Sequence, residues 1–217
     1  METAIMMKNV SKRFQEVDIL KNISVEFEKG KIHGIVGRNG SGKSVMFKAI
    51  CGFINIDGGE IWIRDKKLRK DIDMPSDVGL IIDGSGFLPY YSGFKNLKFL
   101  ASLNRKIDVK KINETMLKVG LDPNSKKHVS KYSLGMKQRL SIAQAIMEDQ
   151  DIIILDEPMN GLDRNGVNDI REILLRLKRE GKTLLLASHN TEDIQILCDK
   201  VYEMESGVLT VLDNYKT

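Results

Sequence analysis

The spacing of apolar residues changes character twice along the chain. Residues 3–10, 17–27 and 60–63 alternate apolar with polar, as half-buried antiparallel strands do, with turns predicted at Glu28-Lys29-Gly30 and Asp57-Gly58-Gly59. Between them Lys31–Val36 reads as a short buried strand and Val45–Cys51 as a helix. After Val78-Gly79-Leu80-Ile81-Ile82, a further buried strand ending at Asp83-Gly84-Ser85-Gly86, the period turns helical at 94–103, 108–120 and 134–149, with Asp108 and Ser133 as N-caps. From Asp151 a strand–helix rhythm returns: strand 151–155, helix 166–180, strand 183–187, helix 191–199, then strands 200–204 and 207–212. Such alternation predicts an α/β fold with a mainly parallel sheet and helices on both faces. To this the pattern adds a small antiparallel β subdomain and a helical insertion. One domain over 1–217 is expected, with a core lobe of 1–83 and 150–217 and a helical subdomain of 84–149.

The chemistry lies at the joints of that rhythm. Gly37-Arg38-Asn39-Gly40-Ser41-Gly42-Lys43-Ser44 matches G-x-x-x-x-G-K-[ST] between a predicted strand and a predicted helix, the context a phosphate-binding loop needs. Glycines at 37, 40 and 42 allow positive φ and close approach of the backbone, so that successive N–H groups form a nest for anionic oxygens. The helix start adds unpaired N–H groups and a positive dipole end. Lys43 is expected to reach the β- and γ-phosphates and the Ser44 hydroxyl to ligate Mg²⁺. Gly37, Asn39, Gly40, Ser41, Gly42, Lys43 and Ser44 are therefore the expected contacts of a nucleoside triphosphate.

A second joint is Asp151-Ile152-Ile153-Ile154-Leu155-Asp156-Glu157. The apolar run is what a strand buried on both faces requires, but burial does not explain two acids at its carboxyl end, where open α/β sheets bind ligands. Asp156 suits contact with Mg²⁺, direct or through water, and Glu157 suits the group that polarises an attacking water. Phe14, between the first two strands, is equally an aromatic for a purine base to stack on and a core or edge aromatic of the sheet. Ser133 caps a helix whose N-terminus is a second anion-binding end.

With phosphate loop and acidic strand in hand, the chain resembles an ABC-type ATPase, a P-loop NTPase, over about residues 3–212. Tyr132-Ser133-Leu134-Gly135-Met136-Lys137-Gln138-Arg139 resembles the signature, Asn160-Gly161-Leu162-Asp163 the D-loop, and Ser188-His189 the switch histidine. The resemblance implies that ATP and Mg²⁺ are bound, that Glu157, His189 and Lys43 are catalytic, and that Phe14 stacks on adenine. It implies that Ser133 and Gly135 face the nucleotide of a second ATP-binding subunit, with a homodimer expected and Asp163 at its seam. Ser44, Asp156 and Asp83 are then the metal positions. Asp83 stands where the family commonly has Gln; it is shorter and, ionised, only accepts hydrogen bonds, so it is either a metal-side residue or a turn residue before Gly84. The signature departs from L-S-G-G-Q in its first Gly and its Gln but retains Ser133 and Gly135.

Composition narrows the partners. With 41% apolar and 29% charged residues in 217, the chain is an ordinary globular one. Runs such as Leu184-Leu185-Leu186-Ala187 fall far short of the roughly 20 residues that span a bilayer, and the start lacks the apolar core of a signal peptide. A cytoplasmic protein is expected, peripheral on the inner face of the cell membrane and touching it only through separate transmembrane permease subunits. Phe87-Leu88-Pro89-Tyr90-Tyr91 and Phe94 are the expected docking surface. The net charge of +4 does not point to nucleic acid, and the clusters Lys66–Lys70 and Lys126-Lys127 read as solvated faces. Cys51 and Cys198 show neither metal spacing nor a C-x-x-C pair. The form of the signature, Asp83 and the short chain resemble bacterial exporters of the peptide-antibiotic resistance type. The rivals are a soluble ABC ATPase acting on ribosomes or DNA and a P-loop kinase of a small metabolite.

Overall fold

The computed structural model describes residues 2–82, 86–104, 107–213 and 215. Two sheets organise it. Strands β1 (Thr3–Phe14), β2 (Val17–Glu28), β4 (Gly58–Ile63) and β5 (Lys66–Lys67) form an antiparallel sheet in the order β2-β1-β4-β5. The other sheet contains β3 (Ile32–Val36), β6 (Val78–Ile81), β7 (Ile152–Asp156), β8 (Thr183–Ala187), β9 (Lys200–Glu205) and β10 (Val208–Leu212), in the order β10-β9-β3-β8-β7-β6. It is parallel except for the edge strand β10. The helices are α1 (Lys43–Ile50), α2 (Gly93–Asn104), α3 (Val109–Lys118), α4 (Leu134–Ile146), α5 (Arg164–Arg179) and α6 (Thr191–Leu197).

The unbroken apolar runs of the central strands follow from burial on both faces. The pleat of β7 sends Ile153 and Leu155 into a cluster with α4 and α5, and Ile152 and Ile154 into one with α1 and the antiparallel sheet; Leu184 and Leu186 of β8 face one way, Leu185 and Ala187 the other. Each such side chain contributes about 1.5–3 kcal/mol of burial, so this four-strand centre is the most costly part of the molecule to disturb. Helices lie on both faces as predicted, α4 and α5 on one and α1 on the other, where Ile5, Met7, Ile23 and Ile61 of the antiparallel sheet share the cover.

Smaller corrections have local causes. Gly58 and Gly59 lie inside β4 rather than in a turn; Gly59 has φ +85°, and a Cβ there would stand 2.3 Å from the Asn9 carbonyl oxygen, so the glycine permits a bulge against β1. Phe14 ends β1 instead of standing in the connection, which is Gln15-Glu16. Helix α4 stops at Ile146, and Asp149 takes a left-handed φ of +63°. The lysines at 66 and 67 form a strand, where Lys67 donates to Glu60 at 2.5 Å. Cys51 and Cys198 are buried, joined in no disulfide, and follow α1 and α6; burial pushes the Cys51 thiol up to about 12.

Helix α4 joins the helical segment to the sheet. A Cβ on Gly79 of β6 would fall 1.8 Å from the Ala145 carbonyl oxygen, so only glycine admits this approach of strand to helix. The same apolar cluster runs through Leu97 of α2, Met116 of α3, Leu140 of α4, Ile153 of β7 and Leu174 of α5.

Candidate nucleotide site

Parallel neighbours place the functional loops side by side. Strands β3, β8 and β7 are adjacent, and the chain leaves their carboxyl ends at Gly37, Ser188 and Glu157 respectively. The phosphate loop is shaped by what its glycines touch. Gly37, at φ +150°, lies so close to Met204 that a Cβ would approach its carbonyl oxygen to 2.3 Å; Gly42, at φ +114°, would bring one to 2.9 Å from the Ile19 carbonyl oxygen. Gly40 has φ +80° with open space beside it, so the backbone conformation alone demands glycine there.

Lys43 is buried, and its ammonium donates to the carbonyl oxygens of Gly37 at 2.7 Å and Arg38 at 3.1 Å. The side chain thus lies along its own loop, pointing a charge at the centre of the nest. Ser41 Oγ is buried without a hydrogen-bond partner among the described residues, an orphaned polar atom inside the cradle. Ser44 Oγ donates to Asp156 Oδ2 at 2.5 Å, linking α1 to the end of β7. These two hard oxygen donors fit Mg²⁺, which is held by one or two protein oxygens together with phosphate rather than by an all-protein cage. Among the described residues no group of three or more His, Cys, Asp or Glu gathers to hold a metal by itself. Asp83 lies outside the described residues.

Glu157 takes φ +52°, uncommon for a residue with a side chain. Its amide donates to the Ala187 carbonyl at 3.0 Å, so the end of β8 fixes this turn. The carboxylate Oε2 is 2.9 Å from His189 Nδ1, a bond the ring donates when that nitrogen carries its proton. Glu157 and His189, 32 residues apart in the chain, are therefore brought together.

A cavity of about 720 Å³ is bordered by Asn39, Gly40, Gly42, Lys43, Ser44, Asp156 and Glu157. It unites the phosphate loop with both acids. Phe14 is not among its lining residues; the ring is 45% exposed at the tip of the β1–β2 hairpin, with Lys12 Nζ 5.1 Å from its centroid, whereas Ile19 of the same hairpin does line the cavity. Ser133 accepts from the Met136 amide at 3.2 Å and so caps α4 as expected. Ser133 and Gly135 border a different cavity, of about 450 Å³, together with Leu162, Asp163 and Asp169.

Leu134, Gln138 and Asn160, which the sequence places in the signature and D-loop segments without a role of their own, line the first cavity. Sequence reasoning passed over Met204 and Ile19, whose carbonyls press on the loop's glycines. Their only signal is tertiary. Of the expected docking residues, Leu88, Tyr90 and Tyr91 are exposed, whereas Phe87 and Phe94 pack against the core. A separate groove of about 390 Å³, which none of these residues lines, is bordered by Phe53, Met74, Leu100 and Leu103.

The model of the ABC transporter family matches residues 20–160. The chain is 45% identical over 205 residues to an uncharacterized ABC transporter ATP-binding protein, YybJ, of Bacillus subtilis, covering 94% of each chain. It is 36% identical over 211 residues to the bacitracin transport ATP-binding protein BcrA of Enterococcus faecalis, covering 96% of this chain and 68% of that one. Among solved structures it is similar to cbiO1 of Clostridium perfringens, part of the ABC transporter complex cbiONQ, with a TM-score of 0.86 and 25% identity over 100% of this chain and 90% of the other. The chain belongs to the ABC transporter family as an ATP-binding, ATP-hydrolysing subunit.

Proposed function

We propose that two copies of this chain bind two ATP molecules head to tail and hydrolyse them to drive export through transmembrane permease subunits. The observation that carries this reading is the separation of two anion-binding ends. The phosphate loop and the acids surround one cavity, while Ser133 and Gly135 border another that no residue of the loop lines. Each end is completed when a second copy, reversed, supplies the other across one triphosphate.

In this reading Gly37, Asn39, Gly40, Ser41 and Gly42 cradle the phosphates, and Lys43 neutralises the β- and γ-oxygens. The exposed Phe14 ring stacks on adenine. Ser44 and Asp156 would hold Mg²⁺, with Asp83 kept as the third metal position that the resemblance implies; the ion when bound offsets charge on the β- and γ-phosphates. Glu157 accepts a proton from the water whose oxygen attacks the γ-phosphorus in line; the bond to the β-phosphate oxygen breaks and ADP and phosphate leave. His189 orients that carboxylate and meets the γ-phosphate. From the mate come the N–H groups of the α4 start, with Ser133 and Gly135, and Asp163 lies at the seam.

The division into a core lobe, 1–83 and 150–217, and a helical subdomain, 84–149, belongs to the same proposal. The apolar groove and Tyr90 and Tyr91 between them would receive a short helix of the permease. No helix among the described residues is long and apolar enough to cross a membrane. In this reading the permease partner holds the chain at the inner face of the cell membrane. The relative named for bacitracin transport favours export of a peptide antibiotic over work on ribosomes or DNA.

The test is Glu157→Gln. Turnover should fall about 10²–10⁴-fold, the scale of general-base loss, with ATP still bound. Saturated with ATP and Mg²⁺, the variant should double its mass by light scattering. A solitary subunit under those conditions would sink the head-to-tail reading.

A further inference from the structure

The first turn of α4 and the loop after Glu157 interlock within one chain through two leucine–glycine pairs. Gly161 has φ +73°, and a Cβ there would stand 2.3 Å from Leu134 Cδ2, so the leucine fills the space that the glycine leaves. In the opposite sense Leu162 lies over Gly135, whose Cβ would meet Leu162 Cδ2 at 3.4 Å. Each segment thus contributes one knob and one hole. Leu134 is 55% exposed yet lines both the phosphate-loop cavity and the cavity of Ser133 and Gly135, as does Gly161. Solubility gives no reason for an exposed leucine at this spot.

The loop side of this contact leads directly to the acid. Asn160 N–H donates to the Glu157 carbonyl at 3.2 Å and Leu162 N–H to the Met159 carbonyl at 3.2 Å, and Met159 is buried in the core. On the helix side, Arg139 donates to the Val119 carbonyl at 2.9 Å and pairs with Asp169 of α5. Residues 157–162 therefore form a short turn pinned at Met159, with Glu157 at one end and Gly161 against Leu134 at the other. A shift of the α4 start moves Leu134, and the interlock passes that shift to the turn that carries Glu157.

We infer that Leu134 is a positioning residue for hydrolysis: its reciprocal interlock with Gly161 sets Glu157 according to the state of the Ser133–Gly135 end. The inference rests on the head-to-tail reading for one consequence. If that end holds the mate's nucleotide, occupancy of one site aligns the acid of the other, and hydrolysis is cooperative in ATP.

The experiment measures ATP turnover and fluorescent-nucleotide binding for the parent chain, Leu134→Ala, Gly161→Ala and the double variant. Leu134→Ala should bind nucleotide within about twofold of the parent while kcat falls about 10- to 100-fold, the scale of a small misplacement of a catalytic group, and the Hill coefficient drops toward one. Gly161→Ala should lose more, because its methyl meets Leu134, and the double variant should recover part of that loss. Rescue distinguishes positioning from a merely structural role, which would lower the melting temperature additively and leave Gly161→Ala unrescued. An unchanged kcat and cooperativity in Leu134→Ala, or a double variant no better than Gly161→Ala, would overturn the inference. A parent that hydrolyses ATP without cooperativity, as a single subunit, would instead overturn the dimer reading, and the rescue of kcat would still decide the interlock.

Discussion

Two helix starts in this molecule are built to meet anions, and they differ in what they keep for themselves. Helix α1 begins at Gly42, at φ +114°, without a side-chain cap, and three glycines with positive φ hold the preceding loop open. Helix α4 begins at Ser133, at φ −63°, whose hydroxyl oxygen already accepts the Met136 amide. The first four N–H groups of any helix lack partners inside it. The α1 start leaves that demand to a ligand, adding a buried cation at Lys43; the α4 start satisfies part of it internally and lies exposed. A nucleotide is expected to be bound firmly by the first and conditionally by the second, which suits a site that closes only when two subunits meet.

The sharpest way to break this contrast is Lys43→Met. Hydrogen bonds to charged groups contribute about 1.5–3 kcal/mol, so ATP binding to the isolated chain should weaken about 10- to 150-fold. Calorimetric titration measures it. Retained affinity would mean that the ammonium, held by the Gly37 and Arg38 carbonyls, serves the loop's own shape instead of the phosphates.

Next in size is Ser133→Ala. Loss of the cap should cost about 1 kcal/mol of stability, or roughly 2–4 °C in Tm for a chain of this size. ATP affinity of the isolated chain should stay as it was, with the deficit showing only in turnover of the assembled pair. If this variant weakens binding to the isolated chain as strongly as Lys43→Met does, both helix starts hold one nucleotide in one chain, and the contrast between them is lost.

How far the sequence discloses this arrangement depends on the range of the interaction. The loop from Gly37 to Ser44, the cap at Ser133 and the acids that end β7 follow local rules, in which residue type and spacing fix the backbone. The four-residue apolar run of β7 likewise states that both faces are buried. It does not state what buries them, so the antiparallel sheet over Ile152 and Ile154 had to be seen. The meeting of Glu157 with His189, of Leu134 with Gly161, and of Phe53 with Leu103 across a groove depends on chain folding over long separations. Periodicity carries no information at that range. Phe14 marks the boundary: its exposure on the hairpin tip removes the core alternative, and because it does not line the cavity, stacking is to be tested with nucleotide present.

The smallest effect separates the supports on which the two helix starts stand. Helix α1 is fed by β3, which carries His33 fully buried, edge-on to Phe27 at 5.2 Å and bonded through Nε2 to the Glu28 carbonyl. Burial pushes the imidazole below its ordinary range, against the opposing pull of that carbonyl. The ring is neutral when folded and takes a proton more readily when unfolded, so its contribution is full above about pH 6.5 and is lost as pH falls toward the folded value. Between pH 7 and pH 6 the loss is at most about 0.7 kcal/mol for one such group. Glu28, held at about 2 chiefly by Lys200 and Lys31, does not titrate in this interval. Urea unfolding at the two pH values should therefore show a smaller difference for His33→Gln than for the parent, whatever the substitution does to absolute stability. Equal differences would show that the platform beneath the phosphate loop is indifferent to the proton, and that any acid sensitivity of ATP binding arises at the loop itself.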